Sequence, residues 1–329
     1  MIEFVNKHLK TIFGTCVLCT LILFSNLNML FAQHNAVEMI EDASFRGGLM
    51  LTPLDPQTVS KGGGFAKTYR DTLTFFTSAS KPVWRLAQWY TKYSLENTKP
   101  DHHSDGSIFY TDQTKKVGLS PEGALWLEVN ASEVYTAPRV RKEHWPHLLV
   151  TQVFGKRSPV VGDLKQLLFS MEIKLEKCDN KMEEGTFDRN LHTAHTPLFF
   201  MIRNNNRNSE NYGQKIWFGI PSFDYRRVEL KDREHLGGLD RGTKSYMYDI
   251  PPREFWGNVN LHDKQWHRGQ TDLVPHIMRV LELLKEKGVF LNSSLHDLII
   301  DRVGIGWEVP GTFDAAFQVR NLSLKRIDN

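Results

Sequence analysis

From Ala124 onward, apolar and polar positions alternate along the chain, the spacing of a strand with one buried face. Leu125, Leu127 and Val129 alternate with Trp126, Glu128 and Asn130, and Phe169, Met171, Ile173 and Leu175 alternate with Ser170, Glu172, Lys174 and Glu176. The same pattern predicts strands at 148–154, 198–203, 216–220, 298–305 and 315–324. Many strands with one polar face predict antiparallel sheets packed face to face. The fold expected is therefore all-β, a sandwich with long loops and one packed α-helix. That helix is expected after Thr271 as N-cap, with Leu273, Ile277, Val280, Leu281 and Leu284 as its apolar stripe and Gly288 ending it. It should cover a sheet edge or an end of the sandwich. Residues 44–91 are broken by Gly47-Gly48, Pro53, Pro56 and Lys61-Gly62-Gly63-Gly64, and their Trp84, Trp89 and Tyr90, with Tyr93 just beyond, read as core packing. The chain shows no internal repeat.

The first residues change the picture of what the mature chain contains. Lys7 and Lys10 precede an apolar run over 12–31 that closes on Phe31-Ala32-Gln33, the pattern of a cleaved signal peptide at 1–33. This leaves 34–329 as one β-sandwich domain, exported to a bacterial envelope and either periplasmic or secreted. Cys16 and Cys19 leave with the signal, so Cys178 remains without a disulfide partner and the chain must be held by its own core. The 41 basic and 38 acidic residues are nearly balanced, which provides no electrostatic footprint for nucleic acid. Eight Trp and nine Tyr exceed the needs of a core and are the side chains that stack on sugar rings, so the partner expected is a polysaccharide or oligosaccharide.

Two sets of residues carry candidate chemistry. A strand continued through 133–143 places Glu133, Tyr135, Arg139, Arg141 and Glu143 on one face, with Val134, Pro138 and Val140 on the other. His147 and Gln152 follow on the next strand. Arg139 and Arg141 would clamp a uronate carboxylate, Gln152 would support it, and Tyr135 or His147 would act as base, the requirements of a uronate lyase. A glycoside hydrolase needs two close carboxyl groups instead. Glu172 and Glu176 share a face but are about 13 Å apart along an extended strand, so a pair must form across strands. Glu128, Glu172 and Glu308 are the candidates, Glu128 and Glu308 the favoured two, with Trp126 as the stacking platform. No spacing fixes a third ligand beside His102-His103 or beside His192 and His195, so no metal cofactor is assigned. Asp101, Asp105 and Asp179 are the loop carboxylates that a structural calcium would use. Neither a phosphate-binding glycine loop nor a serine-hydrolase elbow is present.

PRVRKE at 138–143 followed by LLVTQVF at 148–154 resembles the arginine-rich and glutamine-bearing strands of jelly-roll alginate lyases, with Phe154 standing where that family has histidine. IWFGIPSFDYR at 216–226 and VGIGWEVPGTFDAAFQVRNLSL at 303–324 resemble strands of secreted bacterial jelly-roll proteins, a superfamily of carbohydrate-binding modules and concanavalin-like glucanases and lyases. That resemblance implies a jelly-roll sandwich with a saccharide-related role and transfers no catalytic residue. Four functions stay open at this level: a binding protein, a hydrolase, a lyase, and a structural or adhesion protein of the envelope.

Overall fold

The computed structural model describes residues 36–61, 65–77 and 80–329; the expected signal segment 1–33 and Gly62–Gly64 lie outside them. In chain order the strands are β1 (Val37–Glu38), β2 (Leu49–Leu51), β3 (Thr72–Leu73), β4 (Trp84–Ala87), β5 (Asp101–His102), β6 (Ile108–Thr111), β7 (Lys115–Leu119), β8 (Leu125–Asn130), β9 (His147–Val153), β10 (Leu164–Asn180), β11 (His195–Thr196), β12 (Leu198–Asn204), β13 (Lys215–Gly219), β14 (Phe223–Asp224), β15 (His235–Asp240), β16 (Ser245–Asp249), β17 (His267–Asp272), β18 (Leu298–Glu308) and β19 (Phe313–Asp328). One sheet runs β17-β10-β19-β8-β7-β6-β5, with β1 on β19. The other runs β15-β16-β13-β12-β18-β9-β4-β2-β3, with β11 beside β18 and β14. Pairing is antiparallel except for β13 with β16 and β2 with β4. The sandwich expected from the alternation is the architecture observed.

The two inner faces are the apolar phases of the strands. Phe169 of β10 meets Phe200 of β12 edge to face across the sheets, with ring centroids 4.9 Å apart. Trp307 of β18 packs on Phe317 of β19 at 5.1 Å and donates its indole N–H to the Leu127 carbonyl of β8 at 3.0 Å. Each indole or ring therefore fills the space between sheets, and the Trp307 hydrogen bond ties one sheet directly to the other. Trp84 is fully buried, as expected, whereas Tyr93 is exposed.

The helix spans Leu273–Glu286, and its cap is Asp272 rather than Thr271. Thr271 is still paired with Phe169 in the ladder, so the chain leaves the sheet one residue later. The Asp272 carboxylate then accepts from Val274 N–H at 3.1 Å and from Leu167 N–H at 2.9 Å. The apolar stripe is buried in the core, while Arg279 pairs with Glu234 at 3.1 Å and Glu234 accepts from the Tyr248 hydroxyl of β16. The helix thus closes the side of the sandwich between the two sheets.

One strand predicted from the pattern does not form. Residues 131–133 make a helical turn, and 134–146 are loop, with Lys142 at φ 75° and Val140 exposed. Pro138 has no N–H for a ladder, which disfavours a paired strand here. The shared face proposed for Tyr135, Arg139 and Arg141 is therefore absent.

Candidate active site

The outer face of the eleven-stranded sheet is read from its register. His235, Asp249, Gly219, Phe199, Gly304 and Thr151 are successive partners across β15, β16, β13, β12, β18 and β9, so all lie on one face. Asp224, His195, Glu308 and His147 form a second row on β14, β11, β18 and β9. A cleft of about 400 Å³ opens over this face, lined by His195, Trp217, Asp224, His235, Asp249 and Glu308.

Glu308 and Asp224 are the largely enclosed carboxylates of the second row. His195 Nε2 stands 3.4 Å from Glu308 Oε2, His147 Nε2 stands 3.9 Å away, and Trp145 directs its indole N–H at the same oxygen from 3.4 Å. His147 Nδ1 faces the Trp145 carbonyl at 2.8 Å; a carbonyl only accepts, so Nδ1 carries the proton. Burial alone would raise the Glu308 pKa, but the hydrogen bond and charge of His195, the charge of His147 and the Trp145 donor outweigh it and hold the carboxyl at about 2. Burial lowers the His147 pKa, and the Glu308 charge and the Trp145 carbonyl offset this in part. Asp224 is likewise held at about 2, because Arg226 and Thr193 donate to it and offset its burial.

Asp249 has the opposite character. Burial raises its pKa above the ordinary aspartate value, and the positive charges of His235 and His195 offset this only in part. Its carboxylate lies over the backbone of Gly219, where an added Cβ would come within 2.0 Å of Oδ1. Glycine at 219 is thus what allows the carboxyl to occupy this place. Gly304 serves the same purpose for Phe199, whose ring edge would stand 2.5 Å from a Cβ there. Phe199 in turn stacks on Trp217 at 3.8 Å and fixes the indole that lines the cleft.

A pH effect on stability follows from Glu308. Its pKa is lowered on folding, so it stabilises the folded chain above its ordinary value of 4.5 and the contribution is lost as pH falls through about 2. Denaturant titrations over that window should show a steeper loss of stability with acid in the wild type than in Glu308→Gln. Parallel losses would show that Glu308 gains nothing from its partners.

The structure separates most of the residues singled out from the sequence. Trp126 and Glu128 lie on the outer face of the other sheet, where Glu128 accepts from Trp126 Nε1 at 3.0 Å and pairs with Lys177 at 2.6 Å. Glu128 and Glu308 therefore point to opposite sides of the sandwich and form no pair. Glu172, on the same outer face as Glu128, pairs with Arg320 at 2.7 Å. Arg139 is buried over the Trp145 ring, 4.8 Å from its centroid, and donates to the Glu143 carbonyl, so its guanidinium holds the loop instead of clamping a ligand. Arg141 is exposed on that loop. Tyr135 donates toward the His144 and Val309 carbonyls, and burial raises its pKa, which makes it a poor base. Gln152 faces the opposite side of β9 from His147, since it lies five positions further along the strand, and both polar atoms of its amide hold the Glu41 backbone, at 2.8 and 2.7 Å. Of the eight, Glu308 and His147 come together in the second row, and Trp126 and Glu128 meet on the opposite outer face.

Asp249, His195, His235 and Trp217 were not assigned to this site from the sequence. The available signal was glycine inside strands, Gly219 in IWFGI and Gly304 in VGIGW, which marks a close approach by another group. His192, the neighbour once paired with His195, is buried and bonded to the Arg139 carbonyl at 2.8 Å. Among the described residues, no group of three or more His, Cys, Asp or Glu is arranged to hold a metal ion. Asp105 accepts from Ser107, Asp101 pairs with His103 and Asp179 with Lys181. Burial raises the Cys178 thiol well above its ordinary range, leaving it inert.

No protein-family model matches the chain, and no curated protein sequence does. Among solved structures it is similar to a family 12 xyloglucanase from Bacillus licheniformis, with a TM-score of 0.39 and 9% identity over 70% of this chain and 97% of the other. It is similar to the endoglucanase cel12A from Rhodothermus marinus, at 0.37 and 9% over 70% and 97%. A family 11 xylanase from Neocallimastix patriciarum scores 0.37 at 11% over 70% and 96%. Similarity this low assigns no residue and no activity to the chain.

Proposed function

We propose that the chain is an exported polysaccharide hydrolase in which Asp249 is the general acid and Glu308 the ionised carboxylate. The observation that carries this reading is that Asp249 and Glu308 line one cleft with His195, burial raising the pKa of the first while His195 and Trp145 hold that of the second down. Cleavage of a glycosidic bond needs both states at once: a protonated group for the leaving oxygen, and a negative charge facing the anomeric carbon. Asp249, whose burial favours the protonated form, is the group that delivers a proton to the glycosidic oxygen. Glu308, held ionised by His195, His147 and Trp145, stabilises the positive charge that develops on the sugar and acts as nucleophile or as base toward water. Trp217 offers an apolar plane in the same cleft for a ring to rest on. The signal expected at 1–33 fits a protein that meets such polymers outside the cytoplasm.

Asp249→Asn is the test. Loss of the acid should lower kcat by roughly 10²-fold and abolish the decline of activity at higher pH that Asp249 ionisation imposes. Glycan retention should stay near that of the wild type. A variant that keeps the wild-type rate and pH profile removes Asp249 from the reaction.

A further inference from the structure

We propose that the cleft takes an anionic polysaccharide, one with carboxylate or sulfate groups on its rings, and that Lys231 and Arg233 hold those groups. This rests on the cleft being the substrate site of the proposed hydrolase. The segment joining β14 to β15 reads Lys231-Asp232-Arg233-Glu234-His235, alternating in charge. The segment turns tightly at Asp232, where Arg233 N–H donates to the Lys231 carbonyl at 2.9 Å, and its charges go to two sides. Lys231, Arg233 and His235 line the cleft, whereas Asp232 pairs with Arg253 at 3.3 Å and Glu234 with Arg279 at 3.1 Å. The acidic members are thus consumed by partners elsewhere, and the basic members are left facing the cleft.

The carboxylates of the cleft do not neutralise them. Asp224 is held by Arg226 at 2.7 Å and Arg227 at 3.6 Å, and Glu308 faces His195 and His147. Among the described residues, neither Lys231 nor Arg233 has a carboxylate within ion-pair distance, and both are exposed. The row ends at His235, the direct cross-strand partner of Asp249, so an anion held along it extends to the proposed acid. Guanidinium and ammonium groups presented in this way bind ring carboxylates or sulfates through charge-assisted hydrogen bonds.

Gel retardation on alginate, polygalacturonate and carrageenan tests this, each polymer being run beside its carboxyl-reduced or desulfated form. Wild-type protein should be retained by at least one anionic polymer and about tenfold less by the neutral form; the form that loses retention identifies carboxylate or sulfate. Lys231→Gln/Arg233→Gln should weaken retention about tenfold, with an unchanged thermal midpoint because both side chains are exposed. Equal retention on charged and neutral forms, no retention on any anionic polymer, or an unaffected double variant overturns the assignment. Hydrolysis of a neutral glycan that depends on Glu308 but not on Lys231 or Arg233 would leave the hydrolase standing and remove the anionic substrate. A Glu308→Gln protein with full turnover would remove the hydrolase whatever the retention shows.

Discussion

Glu308→Gln should lower kcat by about 10⁴-fold on any polysaccharide the wild type cleaves, with retention on that polysaccharide largely kept. Gln has nearly the same volume, and its carbonyl oxygen still accepts the Trp145 indole N–H, so the wall of the cleft is preserved. What disappears is the negative charge, and with it the partner of His195 at 3.4 Å and of His147 at 3.9 Å. A neutral amide can neither attack an anomeric carbon nor stabilise positive charge on it, which is why the loss should fall on kcat and spare binding. Initial rates and retention measured on one preparation separate the two. A rate within a few-fold of wild type would place the chemistry elsewhere.

Trp307→Ala should destabilise the fold by about 3–5 kcal/mol, the cost of removing a fully buried large aromatic. Trp307 is 0% exposed, packs against Phe317 and Phe223, and donates to the Leu127 carbonyl of the opposite sheet. Truncation leaves a void between the sheets and removes the indole hydrogen bond that joins them. Trp307→Phe keeps most of the ring and loses the donor, so its cost should be smaller, about 1–3 kcal/mol. Denaturant midpoints of the two variants against wild type give the order. Because Glu308 is the next residue, the Ala variant should also lose activity under conditions where it remains folded. Equal midpoints for all three proteins would mean that the sheets are not joined at this point.

The sandwich was legible in the sequence because the strands that build it are long and have one apolar phase each. β8, β10, β12, β18 and β19 are read correctly to within a few residues for that reason. The helix was legible from its stripe, and its cap shifted by one because ladder pairing persists through Asp272, opposite Leu168. The site was legible only at Glu308 and His147, which sit at strand ends with an evident phase. Asp249 and His195 escaped because what gives them chemistry is long-range pairing: β13 running parallel to β16, and two-residue strands β11 and β14 that no periodicity marks. The stretch at 133–143 misled because a loop with charged residues at alternate positions carries the same pattern as a strand, and only Pro138 spoke against pairing.

The most direct test of two carboxyl groups acting in one cleft is to digest the polysaccharides that retain the protein and follow new reducing ends alongside the ultraviolet absorbance of unsaturated uronates. The structure predicts new reducing ends without that absorbance, and their loss in both Glu308→Gln and Asp249→Asn. Unsaturated products that form at the wild-type rate in both variants would contradict it, and would mean that the protein cleaves by elimination with groups other than these.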